Sequence, residues 1–195
     1  MLKVAITGNI ASGKSLVEKF LIKSGFKVID SDIIVHQILE FDKDTIKKIK
    51  ELFSSDDILD EKGNISRDKL GKVVFSNIKK KNALEQIIHI KVKEKIDNFF
   101  ELNKEERFVF VSVPLLFEAN FDKFFDKIIF ISAPEDIRLC RLINRNNYSI
   151  EYAKKRIKSQ ECENEKIKKS DFVIYNKSDL KTLEEQIKNI LNKLN

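Results

Sequence analysis

The stretch GNIASGKS, residues 8 to 15, ends in glycine, lysine and serine and fits the pattern G-x-x-x-x-G-K-[ST]. Gly8 and Gly13 can adopt positive φ and bring backbone N–H groups around phosphate oxygens, with Asn9, Ile10, Ala11 and Ser12 forming the turn between them. Lys14 offers a point charge to the β and γ phosphates, and Ser15 a hydroxyl to Mg²⁺. Leu16 continues into an amphipathic segment with Val17, Phe20 and Leu21, so a helix N-terminus is directed at the same oxygens. These residues predict binding of a nucleoside triphosphate with Mg²⁺. They leave open what happens to the γ phosphate.

A second cluster lies at VIDSDIIVH, residues 28 to 36. One reading makes Ser31 or Asp30 the cap of a helix from about Ile33 to Leu39. The other is chemical. In a doubly wound sheet, ligands bind outside the carboxyl ends of the strands, where a second strand next to the phosphate loop faces the γ phosphate. There, one carboxylate can accept a proton from an attacking hydroxyl, and the other can orient it or hold Mg²⁺ through water.

The elements that must position these groups are legible as apolar runs at 2–7, 26–29, 108–113, 128–131 and 172–175, separated by stretches of helical periodicity. They predict an α/β fold of P-loop NTPase type, a parallel five-stranded sheet with helices on both faces. Leu84, Ile88, Val92, Ile96 and Phe99 or Phe100 recur at near four-residue spacing, so residues 33 to 106 read as a helical insertion. Residues 135 to 169, charged and helical, form a second candidate insertion. The whole chain, 1 to 195, reads as one unit carrying both.

Composition narrows the class. With 42% hydrophobic and 35% charged residues, the chain reads as soluble and globular. Its formal charge of +6 is spread over many helical faces instead of one basic stripe, which predicts no nucleic-acid partner and suits a polyanionic small substrate. The longest uncharged apolar run, FVFVSVPLLF, is about half a membrane span. No membrane association and a cytoplasmic location are expected. Cys140 and Cys162 have no ligand spacing and are expected as reduced thiols.

NKSD, residues 176 to 179, and DEKG, residues 60 to 63, match the N-K-x-D and D-x-x-G of GTPases. However, SSDDIL before Asp60 is polar, and a switch aspartate belongs at the end of a buried strand. A nucleotide-dependent switch is therefore a weaker alternative than a small-metabolite or nucleoside monophosphate kinase, which shares the phosphate loop.

In order along the chain, TGNIASGKS, VIDSDIIVH, LEQIIHIKV, VPLLFE, RLINR and SDFVIYNKS resemble the motifs of dephospho-CoA kinases, which use ATP to phosphorylate the ribose 3′-hydroxyl of dephospho-CoA. The resemblance implies that ATP and dephospho-CoA are the substrates. It implies a nucleotide-binding core, with 33–106 as a CoA-binding domain and 135–169 as a mobile lid. Asp32 becomes the candidate general base and Asp30 a carboxylate near substrate and Mg²⁺. Arg141 and Arg145 of RLINR would close over ATP phosphates, Asn176 would approach the adenine, and His89 and Glu118 would line the CoA site. Arg138, Arg141 and Arg145 share one helix face, and the alternative for them is a solvated face paired with Glu135 and Asp136. Asn9 and Ala11 replace usual glycines and Ile90 a proline. Ser112 stands where many members place an aspartate after the third strand, and Tyr175 and Lys177 also depart from the pattern.

Overall fold

The computed structural model describes residues 1–160, 162–177 and 179–194. Five parallel strands, β1 (Leu2–Gly8), β2 (Lys27–Asp30), β3 (Phe108–Ser112), β4 (Lys127–Ser132) and β5 (Phe172–Tyr175), lie in the order β2-β3-β1-β4-β5. This is the expected α/β architecture. The strands are rich in Val, Ile and Phe because a central parallel strand is covered on both faces. β3 accordingly has no exposed residue.

Two compact units divide the chain. The first comprises Met1–Asp30 and the chain from Asn103 onward, and holds the whole sheet. On one face, Val4, Ile6, Phe110, Ile129 and Ile131 pack with Val17 and Leu21 of α1 (Lys14–Lys23) and with Leu183, Ile187 and Ile190 of a C-terminal helix, Leu180–Leu194. The alternate residues Ala5, Val109, Val111 and Phe130 are equally inaccessible. Between β4 and β5 run three helices, Glu135–Asn146, Ile150–Lys158 and Glu163–Lys168.

The second unit, Ser31–Leu102, contains α2 (Ser31–Phe41), α3 (Lys43–Leu52), α4 (Arg67–Ser76) and α5 (Ile78–Leu102). In it α5 is the packing spine: Ile88, Val92, Ile96 and Phe100 are buried, with Leu84 half-buried. Ile34, Ile38, Ile49 and Leu70 of the shorter helices are buried too. Asp42 caps α3 by accepting from the Thr45 N–H at 2.9 Å. Among the described residues of this unit, the only strand-like pairing is an isolated bridge between Leu59 and Ile65. Numbering the helices in chain order, Glu135–Asn146 is α6, Ile150–Lys158 α7, Glu163–Lys168 α8 and Leu180–Leu194 α9. No described helix is long and apolar enough to cross a membrane.

Candidate active site

The phosphate loop leaves β1 at Gly8 and enters α1 at Lys14. A Cβ on Gly8 would lie 2.4 Å from the Ile131 carbonyl of the neighbouring strand, so only glycine fits there. Gly13 has φ 103°, and a Cβ on it would lie 2.1 Å from the Asn176 side-chain nitrogen. The turn is closed by Ser12 N–H donating to the Asn9 carbonyl at 3.1 Å and Leu16 N–H donating to that of Gly13 at 3.0 Å. Ala11, where the family favours glycine, accepts a left-handed φ of 59° at a cost of about 1 kcal/mol.

α1 begins without a side-chain cap and without an acidic residue in its first turn. Its first N–H groups and positive dipole end therefore favour an anion. Lys14 donates to the Gly8 carbonyl at 3.0 Å, which folds its ammonium back over the loop. Ser15 and Leu16 are exposed at the start of the helix, whereas Ser12 is buried, with a hydroxyl oxygen that has no hydrogen-bond partner.

The three arginines of α6 diverge. Arg141 donates through Nη1 to the Ala11 and Ser12 carbonyls at 3.1 and 3.2 Å, which brings it to the loop. Arg145 is exposed and donates to the adjacent Asn146 side chain. Arg138 is buried at 6% exposure, donates to the Ala133 carbonyl at 3.0 Å and pairs with Glu163 at 3.5 Å. A solvated face paired with Glu135 and Asp136 therefore does not describe Arg138. The periodicity placed it on the right helix, but the half-buried carboxylate of Glu163 in α8 captured its charge.

Asn176, 3% exposed beyond β5, donates to the Ser12 carbonyl at 2.7 Å. Its amide thus braces the phosphate loop. The GTPase resemblance dissolves at this level of detail. Asp60 lies in a tight turn, its carboxylate accepting from the Lys62 and Asn64 N–H groups, with Gly63 at φ 78°. Those N–H bonds, that of Asn64 first, hold the Asp60 carboxyl below its usual value. Asp179 is engaged by the Thr182 N–H at 2.9 Å, as a helix cap; Ser178 of the same motif lies outside the described residues.

Asp30, half-buried, ends β2 directly opposite Ser112 in the parallel register. Ser112 donates to Glu18 of α1 at 2.5 Å. A carboxylate therefore does reach the end of β3, delivered by a helix and not by the strand. Asp32 is exposed in the first turn of α2, which starts at Ser31 and so includes both Ser31 and Asp32. The helix predicted from about Ile33 to Leu39 runs from Ser31 to Phe41, so Ser31 stands inside its first turn instead of ahead of it. His89 is half-buried on α5. Elsewhere in that unit, Arg67 donates to His36 Nδ1 at 3.1 Å; a guanidinium cannot accept, so Nε2 carries the imidazole proton toward Glu40 at 3.5 Å.

Glu118 binds Lys166 of α8, Nζ to Oε1 at 2.5 Å, and its second oxygen is buried without a partner. Lys166 also donates to Asn9 Oδ1 at 3.3 Å. Gln160 accepts from the Ile10 N–H at 2.7 Å, and Glu163 from Asn9 Nδ2 at 3.2 Å. Sequence reasoning missed these three residues. In a chain with 37 lysines and arginines, one lysine that folds inward carries no local signal.

Comparison with known proteins identifies the family. The family model described as dephospho-CoA kinase matches residues 2–182. The dephospho-CoA kinase of Fusobacterium nucleatum is 43% identical over 183 residues, covering 92% of each chain. A solved structure from Thermus thermophilus superposes with a TM-score of 0.87 at 31% identity, covering 100% of this chain and 98% of the other. Dephospho-CoA kinase from Campylobacter jejuni gives a TM-score of 0.73 at 32% identity, covering 98% and 96%. Glycine-lined loop, covering arginine and full-length similarity lead to one conclusion: the chain belongs to the dephospho-CoA kinase family.

Proposed function

We propose that this protein transfers the γ-phosphoryl group of ATP to the ribose 3′-hydroxyl of dephospho-CoA, giving coenzyme A and ADP. The observation that carries the reading is the phosphate loop itself, uncapped at α1, with Lys14 and Arg141 both folded onto it. Two fixed cations at a helix N-terminus stabilise charge on a transferring phosphoryl group. ATP-dependent synthesis of this kind assigns the protein to the cytoplasm.

Asp32 is assigned as the group that positions the 3′-hydroxyl and takes its proton. Its exposure and its place two residues past the end of β2 support that role. Among the described residues there is no cluster of three or more acidic, histidine or cysteine side chains that could hold a metal. Mg²⁺ arrives on a triphosphate and needs only one or two protein groups plus water. The Ser15 hydroxyl and the Asp30 carboxylate are the donors of the right chemistry. Bound there, the ion would neutralise charge between the β and γ phosphates.

The helical unit Ser31–Leu102 is assigned to the acceptor. It has a concavity lined by His36, Glu40, Lys50, Asp60, Asn64 and Arg67 among others, and of these Lys50 and Arg67 suit a phosphate-bearing ligand. His89 of the same unit remains a candidate for that ligand. Within residues 135–169, α6 and α7 are assigned as the moving part of the lid, with α8 anchored through Lys166 and Glu163 and Arg145 as the residue that must move furthest to reach phosphate. The lid would exclude water and so suppress ATP hydrolysis.

The test is incubation with Mg-ATP and dephospho-CoA, following ADP and product mass against a control without acceptor. Acceptor-dependent ADP and a product one phosphoryl group heavier are expected. ATP consumption that ignores the acceptor would reject the assignment.

A further inference from the structure

Lys166 is 2% exposed, and a buried ammonium is tolerated only when its charge and donors are met. Here they are met in a directed way. Glu118 neutralises the charge at 2.5 Å, and a second N–H is aimed at the Asn9 amide oxygen. Asn9 is itself 4% exposed, and its amide nitrogen donates to Glu163. Glu163 in turn is fixed by Ser132 at the end of β4, at 2.5 Å, and faces Arg138. Two buried cations and two carboxylates therefore balance around one neutral amide.

We infer that Lys166 is a positioning residue for ATP, holding the phosphate loop through the side chain of Asn9. Only an amide satisfies both neighbours, accepting from Lys166 and donating to Glu163. A glycine would serve neither, and an aspartate would face Glu163 as a like charge. The same residue's backbone carbonyl accepts the Ser12 N–H that closes the loop. Fixing the Asn9 side chain from α8 therefore fixes the first turn that the phosphates must meet. A loop held in its binding shape loses less freedom when ligand arrives, so the network acts on nucleotide affinity.

The inference rests on the nucleotide-binding reading above, and calorimetric titration with Mg-ATP tests it without reference to the acceptor. Lys166→Met and Asn9→Gly are each expected to weaken Mg-ATP binding by roughly three- to tenfold. The loss in their combination should fall short of the two single losses combined, because either variant removes the Lys166–Asn9 bond. Lys166→Arg, which keeps a donor and the charge, is expected to recover most of the affinity. In turnover, KM for ATP should rise more than kcat falls.

Asn9→Gly leaves Lys166 paired with Glu118, so it tests the inference even where Lys166→Met does not fold. ATP affinity unchanged in Asn9→Gly, or in a folded Lys166→Met with only its melting temperature lowered, overturns the inference. Losses that multiply in the double variant overturn it as well. A wild-type protein that binds no nucleotide rejects the underlying kinase reading instead.

Discussion

The Asn176 amide donates to the Ser12 carbonyl at 2.7 Å, and this bond occupies the space that any side chain on Gly13 would need. The end of β5 thereby seals one wall of the phosphate loop. Gly13→Ala would drive a methyl group into that amide and impose a left-handed φ on alanine. Loss of ATP binding together with a lower melting temperature is expected. Asn176→Ala should cost about 1 kcal/mol in urea denaturation, since Ser12 keeps only the longer Arg141 bond.

Lys14 and Asp32 separate binding from proton handling. Lys14→Ala is expected to reduce kcat/KM by about 10²-fold or more, through lost charge at the transferring group. Asp32→Asn keeps the first turn of α2, and kcat should fall about 10²-fold in a protein that still melts cooperatively. Steady-state assays with both substrates varied, alongside melting curves, check the pair. An Asp32→Asn enzyme of normal kcat would remove Asp32 from the chemistry.

Arg141 and Arg145 differ in what they touch before nucleotide arrives. Arg141 already bonds two loop carbonyls, so Arg141→Ala should lower the melting temperature of the free protein, by about 1 kcal/mol of stability, as well as kcat. Arg145 is exposed and bonded only to its neighbour in the described contacts, so Arg145→Ala should leave the free protein's melt unchanged. Its effect should appear in turnover alone. Melting with and without Mg-ATP distinguishes the two.

Ser112 and Glu18 form a hydroxyl–carboxylate pair at the end of β3. Ser112→Asp, which supplies the residue more usual in the family, would place two carboxylates in contact at a fully buried position. A loss of about 3 kcal/mol is expected, as for an uncompensated buried charge. Adding Glu18→Ala should recover the part of it that is like-charge repulsion and leave the cost of burying the new carboxylate. Urea denaturation of the single and double variants gives the coupling.

Asp42 links stability to acid. The Thr45 N–H, first among its contacts, together with the nearby cations Lys91 and Lys95, holds its carboxyl below the usual value. A carboxyl depressed in the folded state stabilises fully above its unfolded value, near about 4, and loses that contribution as pH falls through the folded one. Asp42→Asn, which still caps α3, should flatten this part of the acid limb in a melting series from neutral pH downward.

The sheet was legible because its strands are unbroken apolar runs, and the phosphate loop because glycine, lysine and serine stand at fixed spacing. Ser31–Leu102 was legible as helical from the repeat that ends at Phe100. What escaped was every contact made at long range through a common residue type. Lys166 looks like any other lysine, and Glu18 reveals nothing until α1 lies over Ser112. Arg138 shows the same limit from the other side: its helix was correctly read, but its neighbour lies 25 residues on, at Glu163, and decides that it is buried. Periodicity reports which way a side chain points, whereas partners are fixed by topology.

The strand order has a consequence for synthesis of the chain. β1 carries the phosphate loop, yet both its partners, β3 at Phe108–Ser112 and β4 at Lys127–Ser132, emerge from the ribosome much later. The helical unit Ser31–Leu102, by contrast, is one continuous segment. A growing chain can thus complete that unit while its first strand still waits unpaired, because non-local parallel pairing must be paid for in loop closure before it is rewarded. The nucleotide cradle, though encoded first, is assembled near the end, so ATP can stabilise the nascent protein only once β4 has been made.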